Sequence, residues 1–145
     1  MRQVATVDLR NGELIVCSYS QTVPGCWIAF GPIIRLRGDA DDAVLGTAVN
    51  DALAGSRCNV SPPRQGGTPF DTVLRSLKLQ SYAQYMRGTL AVGVMRDGRQ
   101  VTVTPKRNGG AATGFTEQPA QAETLDDPPP AELSQAVWRA LARAV

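Results

Sequence analysis

The fold is decided by the stretch VATVDLRNGELIVCS at residues 4–18, together with LAVGVMRDGRQVTVT at residues 90–104. Each stretch contains a two-residue turn, Asn11-Gly12 or Asp97-Gly98, and apolar residues recur at every second position before it: Ala5, Val7 and Leu9 in the first, and Leu90, Val92 and Val94 in the second. Asn-Gly and Asp-Gly are strong hairpin signals, because both central residues of a type I′ turn need positive φ. Each stretch therefore predicts a β-hairpin, and a shift of 86 residues places one on the other.

Two helices repeat in the same way. An apolar stripe at helical spacing follows the first hairpin, and a stripe of identical residue types follows the second, 88 residues later. The stripes are Leu45, Ala48, Val49, Ala52 and Leu53, and then Leu133, Ala136, Val137, Ala140 and Leu141. We expect residues 39–42 to cap the first helix and Asp127, with the prolines that follow it, to cap the second. Gly55 is expected to end the first helix.

A third strand, Ile33–Arg37, leads into the first helix, and its counterpart in the second repeat is Ala122–Leu125. The repeats therefore cover about residues 3–55 and 89–145 of what we expect to be a single domain, 1–145. Neither repeat can cover both faces of its own sheet, whereas two repeats sharing one sheet can close a core. The predicted fold class is α+β, with an antiparallel or mixed sheet built from two β-hairpin–β–α repeats and helices packed on it.

Two segments have no counterpart in the repeat. Residues 57–87 are predicted to form a short helical insert, with a loop at Val60–Pro69 and short helices at Phe70–Leu77 and Ser81–Met86. Lys106–Gln121 is predicted to be irregular. Long loops in a small domain usually have a function, so these two segments are where we expect recognition.

The residue types present exclude most catalytic sites. The chain contains no His, which rules out Ser-His-Asp, Cys-His and His-metal arrangements, and no enzymatic activity, cofactor, metal or small-molecule substrate is predicted. Helix capping accounts for the cluster Asp39, Asp41 and Asp42. Cys17 and Cys26 are expected to be small buried hydrophobic residues, and Cys58 lies in a loop. An odd number of cysteines and the absence of an apolar run of about 20 residues favour a reduced cytoplasmic protein without a membrane span.

Three segments, in this order, resemble a known family. They are GPIIRLRGDADDAVLGTAVNDALAGSR at residues 31–57, SLKLQSYAQYMRGTLAVGVMRDGRQVTVTPKRNGG at residues 76–110 with Gly114-Phe115 after it, and ETLDDPPPAELSQAVWRAL at residues 123–141. In order and spacing they resemble the contact-dependent growth inhibition immunity proteins of the CdiI type. The resemblance covers the chain from about Gly31 to Val145.

The resemblance implies a small cytoplasmic bacterial protein that is not an enzyme. Such a protein binds and neutralises the C-terminal toxin domain of a CdiA-like effector, often a nuclease. The net charge of +2 weighs against imitation of nucleic acid. It favours shape and hydrogen-bond complementarity, such as strand addition at a sheet edge. Five basic residues of the unrepeated segments are the candidate toxin-binding residues: Arg57, Arg64, Arg75, Lys106 and Arg107.

Two other functions remain open. Residues 70–107 carry seven basic and two acidic side chains, which is compatible with a small nucleic-acid or anion-binding module. Nucleic acid is the less favoured partner, because Tyr82 and Tyr85 have the spacing of an inward helix face rather than of a stacking surface. A third interpretation is an assembly subunit whose sheet edge pairs with another copy.

Overall fold

The computed structural model describes residues 2–63 and 68–145 of the chain. The strands and helices of these residues have the following bounds: β1 (Arg2–Arg10), β2 (Glu13–Gln21), β3 (Trp27–Arg37), α1 (Asp42–Ala54), α2 (Asp71–Ser76), α3 (Tyr82–Met86), β4 (Leu90–Asp97), β5 (Gln100–Asn108), β6 (Phe115–Glu117), β7 (Glu123–Asp126) and α4 (Pro130–Arg143). A 3-10 turn, Pro119–Gln121, joins β6 to β7. No helix in the described part of the chain is long and apolar enough to cross a membrane.

The strands form one seven-stranded sheet in the order β3-β2-β1-β4-β5. Both β6 and β7 pair with β5: β7 with residues 100–103 and β6 with residues 106–108. All ladders between these strands are antiparallel. Helices α1 and α4 pack on one face of the sheet, where the apolar residues of both repeats meet in the main core. The predicted α+β class and the placement of the helices are therefore confirmed.

The register of the ladders relates the two repeats to each other. Val7 pairs with Val16 in the first hairpin, and Val94 pairs with Val103 in the second, a shift of 87 residues. The third strands also correspond, since Leu36 pairs with Leu14 and Leu125 pairs with Val101. The two hairpins meet through β1 and β4, which run antiparallel at the centre of the sheet. The two repeats are therefore related by an approximate two-fold axis that passes through the sheet between β1 and β4.

The helix pair follows the same relation. A Cβ on Gly46 would lie 2.0 Å from the carbonyl oxygen of Pro130, so the two helix backbones are in direct contact there. Adding 88 to Asp42 and Gly46 gives Pro130 and Ser134, and the Ser134 hydroxyl donates to the Asp42 carboxylate at 2.8 Å. The contact of Gly46 with Pro130 and the contact of Ser134 with Asp42 therefore join equivalent positions of the two repeats. Only glycine permits the first of them, because any side chain at residue 46 would overlap the backbone of α4.

The insert covers part of the other face of the sheet. Helices α2 and α3 place a second apolar cluster against β2 and β3. Its buried members are Ile15, Cys17, Ala29, Phe70, Val73 and Tyr85. The predicted short helices are confirmed, and so is the inward orientation of Tyr85. The first part of the predicted loop is described, whereas residues 64–67 lie outside the described residues.

The second hairpin turns one residue later than predicted. Asp97 pairs with Gln100, so the turn residues are Gly98 and Arg99 rather than Asp97 and Gly98. Gly98 has a φ of +62°, while Asn11 and Gly12 of the first turn both have positive φ. The first hairpin therefore has the predicted type I′ turn. Glycine at the first central position indicates a type II′ turn in the second.

Other expectations need correction. Asp41 caps α1 by accepting a hydrogen bond from the Val44 amide at 2.9 Å, as expected of this acidic segment. Asp127 does not cap α4, because that helix begins at Pro130 and has no side-chain cap. The third strand begins at Trp27, not at Ile33. Lys106–Gln121 is not irregular throughout, since β5 continues to Asn108 and pairs with β6.

Candidate functional site

The face of the sheet opposite α1 and α4 is divided between a covered part and an open part. The insert lies over β2 and β3, whereas β4 and β5 carry smaller or more polar side chains on this face, among them Gly93, Thr102, Thr104 and Lys106. The positions of the first hairpin that correspond to Thr102 and Thr104 are the apolar residues Ile15 and Cys17, which lie in the cluster that the insert covers, so this half of the sheet is the one that needs a cover. We call the uncovered part the open face.

A cavity of about 290 Å³ lies on the open face. Gly93 and Thr6 form its floor together with Thr104, and the strand register places these three residues side by side. Tyr19, Trp27 and Met95 stand around it. Each of these three is half-buried, so aromatic rings and a thioether remain accessible at its rim.

Two opposite charges lie above Gly93. Lys106 and Glu117 are partners in the β5–β6 ladder. A Cβ on Gly93 would lie 3.2 Å from Cε and 3.8 Å from Nζ of Lys106, and 3.4 Å from Oε1 of Glu117. Neither charged group forms an ion pair within the described residues. The missing side chain of Gly93 therefore leaves room directly between a cation and an anion.

Several other polar groups of the cavity have no partner in the described part of the chain. The side chains of Thr6, Tyr19, Trp27 and Thr104 make no hydrogen bond to another described residue. Most polar side chains that are partly withdrawn from water do have such a partner. This cavity therefore retains unused hydrogen-bonding capacity on the protein surface, as binding sites do.

A buried polar pair marks the border between the covered and open parts. Tyr85 of α3 is 0% exposed, and its hydroxyl donates a hydrogen bond to the carboxylate of Asp8, which is 4% exposed. Burial raises the pKa of Asp8 from its usual 3.8 to about 6, although the bond from Tyr85 and the charge of Lys106 act in the opposite direction. Burial also raises the pKa of Tyr85 far above its usual value, so this phenol remains protonated.

Further contacts hold the insert to the sheet at this border. Arg10 Nε donates to the carbonyl oxygen of Tyr85 at 3.2 Å, and its guanidinium lies 5.6 Å from the centre of the Tyr85 ring. The Asn108 amide donates to the carbonyl oxygens of Met86 and Thr89. The end of α3 is therefore fixed to both β1 and β5, which gives the open face a rigid wall.

The predicted toxin-binding residues do not form one cluster. Lys106 lies in the cavity of the open face, and Arg107, the next residue of β5, is exposed and lies on the opposite side of the strand. Arg57 donates to the carbonyl oxygen of Ala54 at 2.8 Å and so supports the end of α1. Arg75 lines a separate groove beside Ile28 and Phe30 of β3, and Arg64 lies outside the described residues.

The basic residues of the middle of the chain are also spread over the surface. Arg96 and Arg99 lie at the turn of the second hairpin, where Arg96 donates to Asn50 and Gln3 and Arg99 pairs with Asp126. Lys106 follows Arg99 by seven residues along β5, a distance of about 23 Å. Arg75 belongs to the insert. The arrangement is not a continuous basic stripe of the kind that tracks a nucleic-acid backbone.

The cysteines are only partly as predicted. Cys17 is buried, and burial raises its pKa to about 12. Cys58 is exposed in its loop. The expectation for Cys26 was wrong, since it is exposed. The reason is that the chain turns between Thr22 and Cys26, with Thr22 bonded to both the amide and the carbonyl of Cys26, and does not enter the core until Ile28.

Of the residues of this region, only Lys106 was predicted from the sequence as a binding residue, and those that were missed include Thr6, Asp8, Gly93 and Glu117. Two signals were available. Thr6 and Asp8 alternate with the core residues of β1, so they share the face opposite to the helices, and a carboxylate in the middle of a central strand is unusual. Gly93 lies between Val92 and Val94 in the middle of β4, and a glycine inside a strand often marks a place that another group approaches. Nothing in the sequence around Glu117 indicated a role, because its place opposite Lys106 depends on strand β6, which was not predicted.

Comparisons with known proteins show the fold. No protein-family profile matches the chain, and no curated protein sequence matches it. Among solved structures, a protein of unknown function from Neisseria meningitidis is 20% identical with a TM-score of 0.79, covering 100% of this chain and 96% of that one. A chain of the CdiA-CT/CdiI toxin and immunity complex from Yersinia pseudotuberculosis is 17% identical with a TM-score of 0.78, covering 100% of this chain and 98% of that one.

Proposed function

We propose that this protein is an immunity protein of a contact-dependent growth inhibition system. It acts by binding the C-terminal toxin domain of a CdiA-like effector in the bacterial cytoplasm and blocking its activity, which we propose to be that of a nuclease. It is not an enzyme in this proposal, and its partner is a protein. The observation that carries the proposal is the likeness of fold, along the whole chain, to a chain of a toxin and immunity complex.

The sequence supports the same proposal independently. The segments that resemble immunity proteins of the CdiI type include α1 and α4, the end of the insert and the hairpin of β4 and β5. These are the elements that build the sheet, its helical cover and the border of the open face. The resemblance therefore rests on the parts of the chain that determine the fold and the surface beside it.

The surface supports a binding role. The open face combines half-buried Tyr19 and Trp27 with a cation and an anion that have no ion-pair partner in the described residues. Tyrosine and tryptophan dominate the energetic centres of protein interfaces. The Asp8–Tyr85 pair and the contacts of Arg10 hold the surrounding elements in place, so binding there requires little ordering of the surface.

The test uses the neighbouring gene. We expect the gene directly upstream to encode a very large secreted adhesin-like protein. Expression of its C-terminal domain alone should arrest bacterial growth, and co-expression of this chain should restore growth. The two proteins should co-purify as a stable complex.

A matched control separates protection from a general effect of expression. An immunity protein from an unrelated contact-dependent growth inhibition system, expressed at the same level, should give no protection. Failure of this chain to bind the domain or to restore growth would contradict the proposal. If the isolated domain degrades DNA or RNA in vitro and stoichiometric addition of this chain stops it, the toxin is a nuclease, as proposed.

A further inference from the structure

We infer that the cavity on the open face receives an uncharged amide group from the toxin domain, of the kind carried by asparagine and glutamine side chains. This inference rests on the proposed function, and it adds the contact surface and the chemistry of the group that the partner presents. Lys106 and Glu117 are the residues that select this group.

The size of the cavity limits its occupant. A volume of about 290 Å³ equals that of about ten water molecules in the liquid. This is room for one large side chain and not for a helix or a folded loop. The occupant is therefore a single projecting side chain, with the rest of the partner lying over the rim.

The opposite charges above the floor select against a charged occupant. A carboxylate would gain from Lys106 but would be repelled by Glu117, and an ammonium or guanidinium would meet the reverse. A primary amide satisfies both residues, because its oxygen accepts from the Lys106 ammonium and its NH2 group donates to the Glu117 carboxylate. Both of these hydrogen bonds are charge-assisted, which makes them stronger than bonds between neutral groups.

The walls of the cavity fit the remainder of such a side chain. Tyr19, Trp27 and Met95 provide apolar surface for the methylene groups, and the hydroxyls of Thr6 and Thr104 can bond to the amide oxygen or to the partner's backbone. Gly93 is essential to the fit, since a side chain at this position would occupy the space between Lys106 and Glu117. The insert does not obstruct the cavity, because none of its described residues lines it.

Two substitutions that neutralise the charges test the inference. Lys106→Met and Glu117→Gln each remove one charge-assisted hydrogen bond to the amide. We expect each to weaken binding of the purified, refolded toxin domain about tenfold or more in calorimetric titrations. Arg143→Met and Glu132→Gln are the matched controls, because both residues are exposed on α4, which packs on the other face of the sheet, and neither should change the affinity.

The signs of the two effects distinguish the occupants. If Lys106→Met weakens binding while Glu117→Gln strengthens it, the occupant is anionic and the inference is wrong. The reverse pattern would indicate a cationic occupant and would equally overturn the inference. If neither substitution changes the affinity, the cavity lies outside the interface, and the inference is again wrong. In each of these cases the wild-type chain still binds, so the proposed function stands, whereas absence of wild-type binding contradicts the proposed function itself.

A folding control accompanies the titrations. Lys106 is half-buried and Glu117 is exposed, so both variants should keep the wild-type thermal unfolding midpoint within a few degrees. If Lys106→Met unfolds more easily, because the charge of Lys106 also stabilises ionised Asp8, Lys106→Gln in an Asp8→Asn background repeats the measurement without that dependence.

Discussion

Thr6 and Gly93 face each other across the ladder of β1 and β4, and they are also equivalent positions of the two repeats, 87 residues apart. A residue that pairs with its own counterpart lies on the two-fold axis that relates the repeats. The floor of the cavity is therefore the centre of the duplicated scaffold. The equivalence has been lost in the side chains, since one copy carries a threonine and the other a glycine.

The duplication makes a prediction about helix packing. Gly46→Ala would place a methyl group 2.0 Å from the Pro130 carbonyl oxygen and force α1 and α4 apart. Alanine is the better helix former by about 1 kcal/mol, but we expect the overlap to outweigh this and to lower the free energy of unfolding by about 2 kcal/mol or more. Thr47→Ala, at the exposed neighbouring position, should be neutral or slightly stabilising. Urea unfolding of the two variants checks this, and equal stability would contradict the close contact.

Asp8 makes stability depend on pH. Its pKa is about 6 in the folded protein and 3.8 when exposed, so between these values the folded state retains a proton that the unfolded state has lost. Stability contributed by this group therefore decreases as the pH rises from about 4 to 6, by about 3 kcal/mol for two pKa units. Asp8→Asn removes this titration, and its stability relative to the wild type should increase over the same range. Parallel stability curves for the two proteins would rule out the buried titration.

Tyr85 should show the complementary behaviour. Tyr85→Phe removes the hydroxyl that donates to Asp8, which leaves the carboxylate without this bond and raises its pKa further. We expect a loss of about 2 kcal/mol at pH 8, where Asp8 is ionised, and a smaller loss near pH 5. Tyr82→Phe is the control, since the Tyr82 hydroxyl makes no hydrogen bond within the described residues and its ring packs against Phe70 in the same cluster. A pH-independent effect at Tyr85, or an equal effect at Tyr82, would contradict the role of the pair.

The three cysteines should differ in reactivity. Cys26 and Cys58 are exposed, whereas Cys17 is buried and its pKa is raised to about 12 by burial and by the charge of Asp8. The thiolate is the reactive form, so iodoacetamide at about pH 8 should modify two cysteines of the folded protein. The third should react only in denaturant. Mass spectrometry counts the additions, and rapid modification of Cys17 in the folded protein would show that the insert does not protect it.

The sequence was sufficient for the scaffold because local rules agree with each other there. Turn residues, alternation and helical stripes all occur twice, so the hairpins, α1 and α4 could be predicted. The turn at Gly98 was missed by one residue, because Asp-Gly can serve a type I′ turn while Gly-Arg serves a type II′ turn in the next register. The register of the whole β4–β5 ladder decides between them, and the turn residues alone do not determine that register.

The candidate site could be predicted only in part, for the same reason. Lys106 was identified as a binding residue, but in a loop, whereas β5 continues past it to Asn108 and the pairing with β6 places Glu117 opposite Lys106. Asp8 and Tyr85 are 77 residues apart in the chain, and no local pattern relates them. The polar residues of the open face are accessible because the insert packs on the other half of the sheet. Where the insert packs depends on contacts between distant segments, and no single segment of the sequence shows it.

Gly93 gives the most direct test of whether the open face has a function. Glycine in a central strand costs about 0.5–1 kcal/mol relative to alanine, so a purely structural position would be expected to carry a side chain. A methyl group at Gly93 meets only the flexible end of Lys106 at 3.2 Å and the carboxylate of Glu117 at 3.4 Å, and the backbone has no positive φ to forbid it. Gly93→Ala should therefore leave the free energy of unfolding unchanged or raise it, and it should weaken toxin binding because the methyl group fills the floor of the cavity.

Ala91→Gly, two residues earlier on the same strand, is the control that lowers stability without changing the cavity floor. Measuring stability and affinity together on both variants separates the two roles. If Gly93→Ala binds as tightly as the wild type, the glycine serves the packing of the sheet and not recognition.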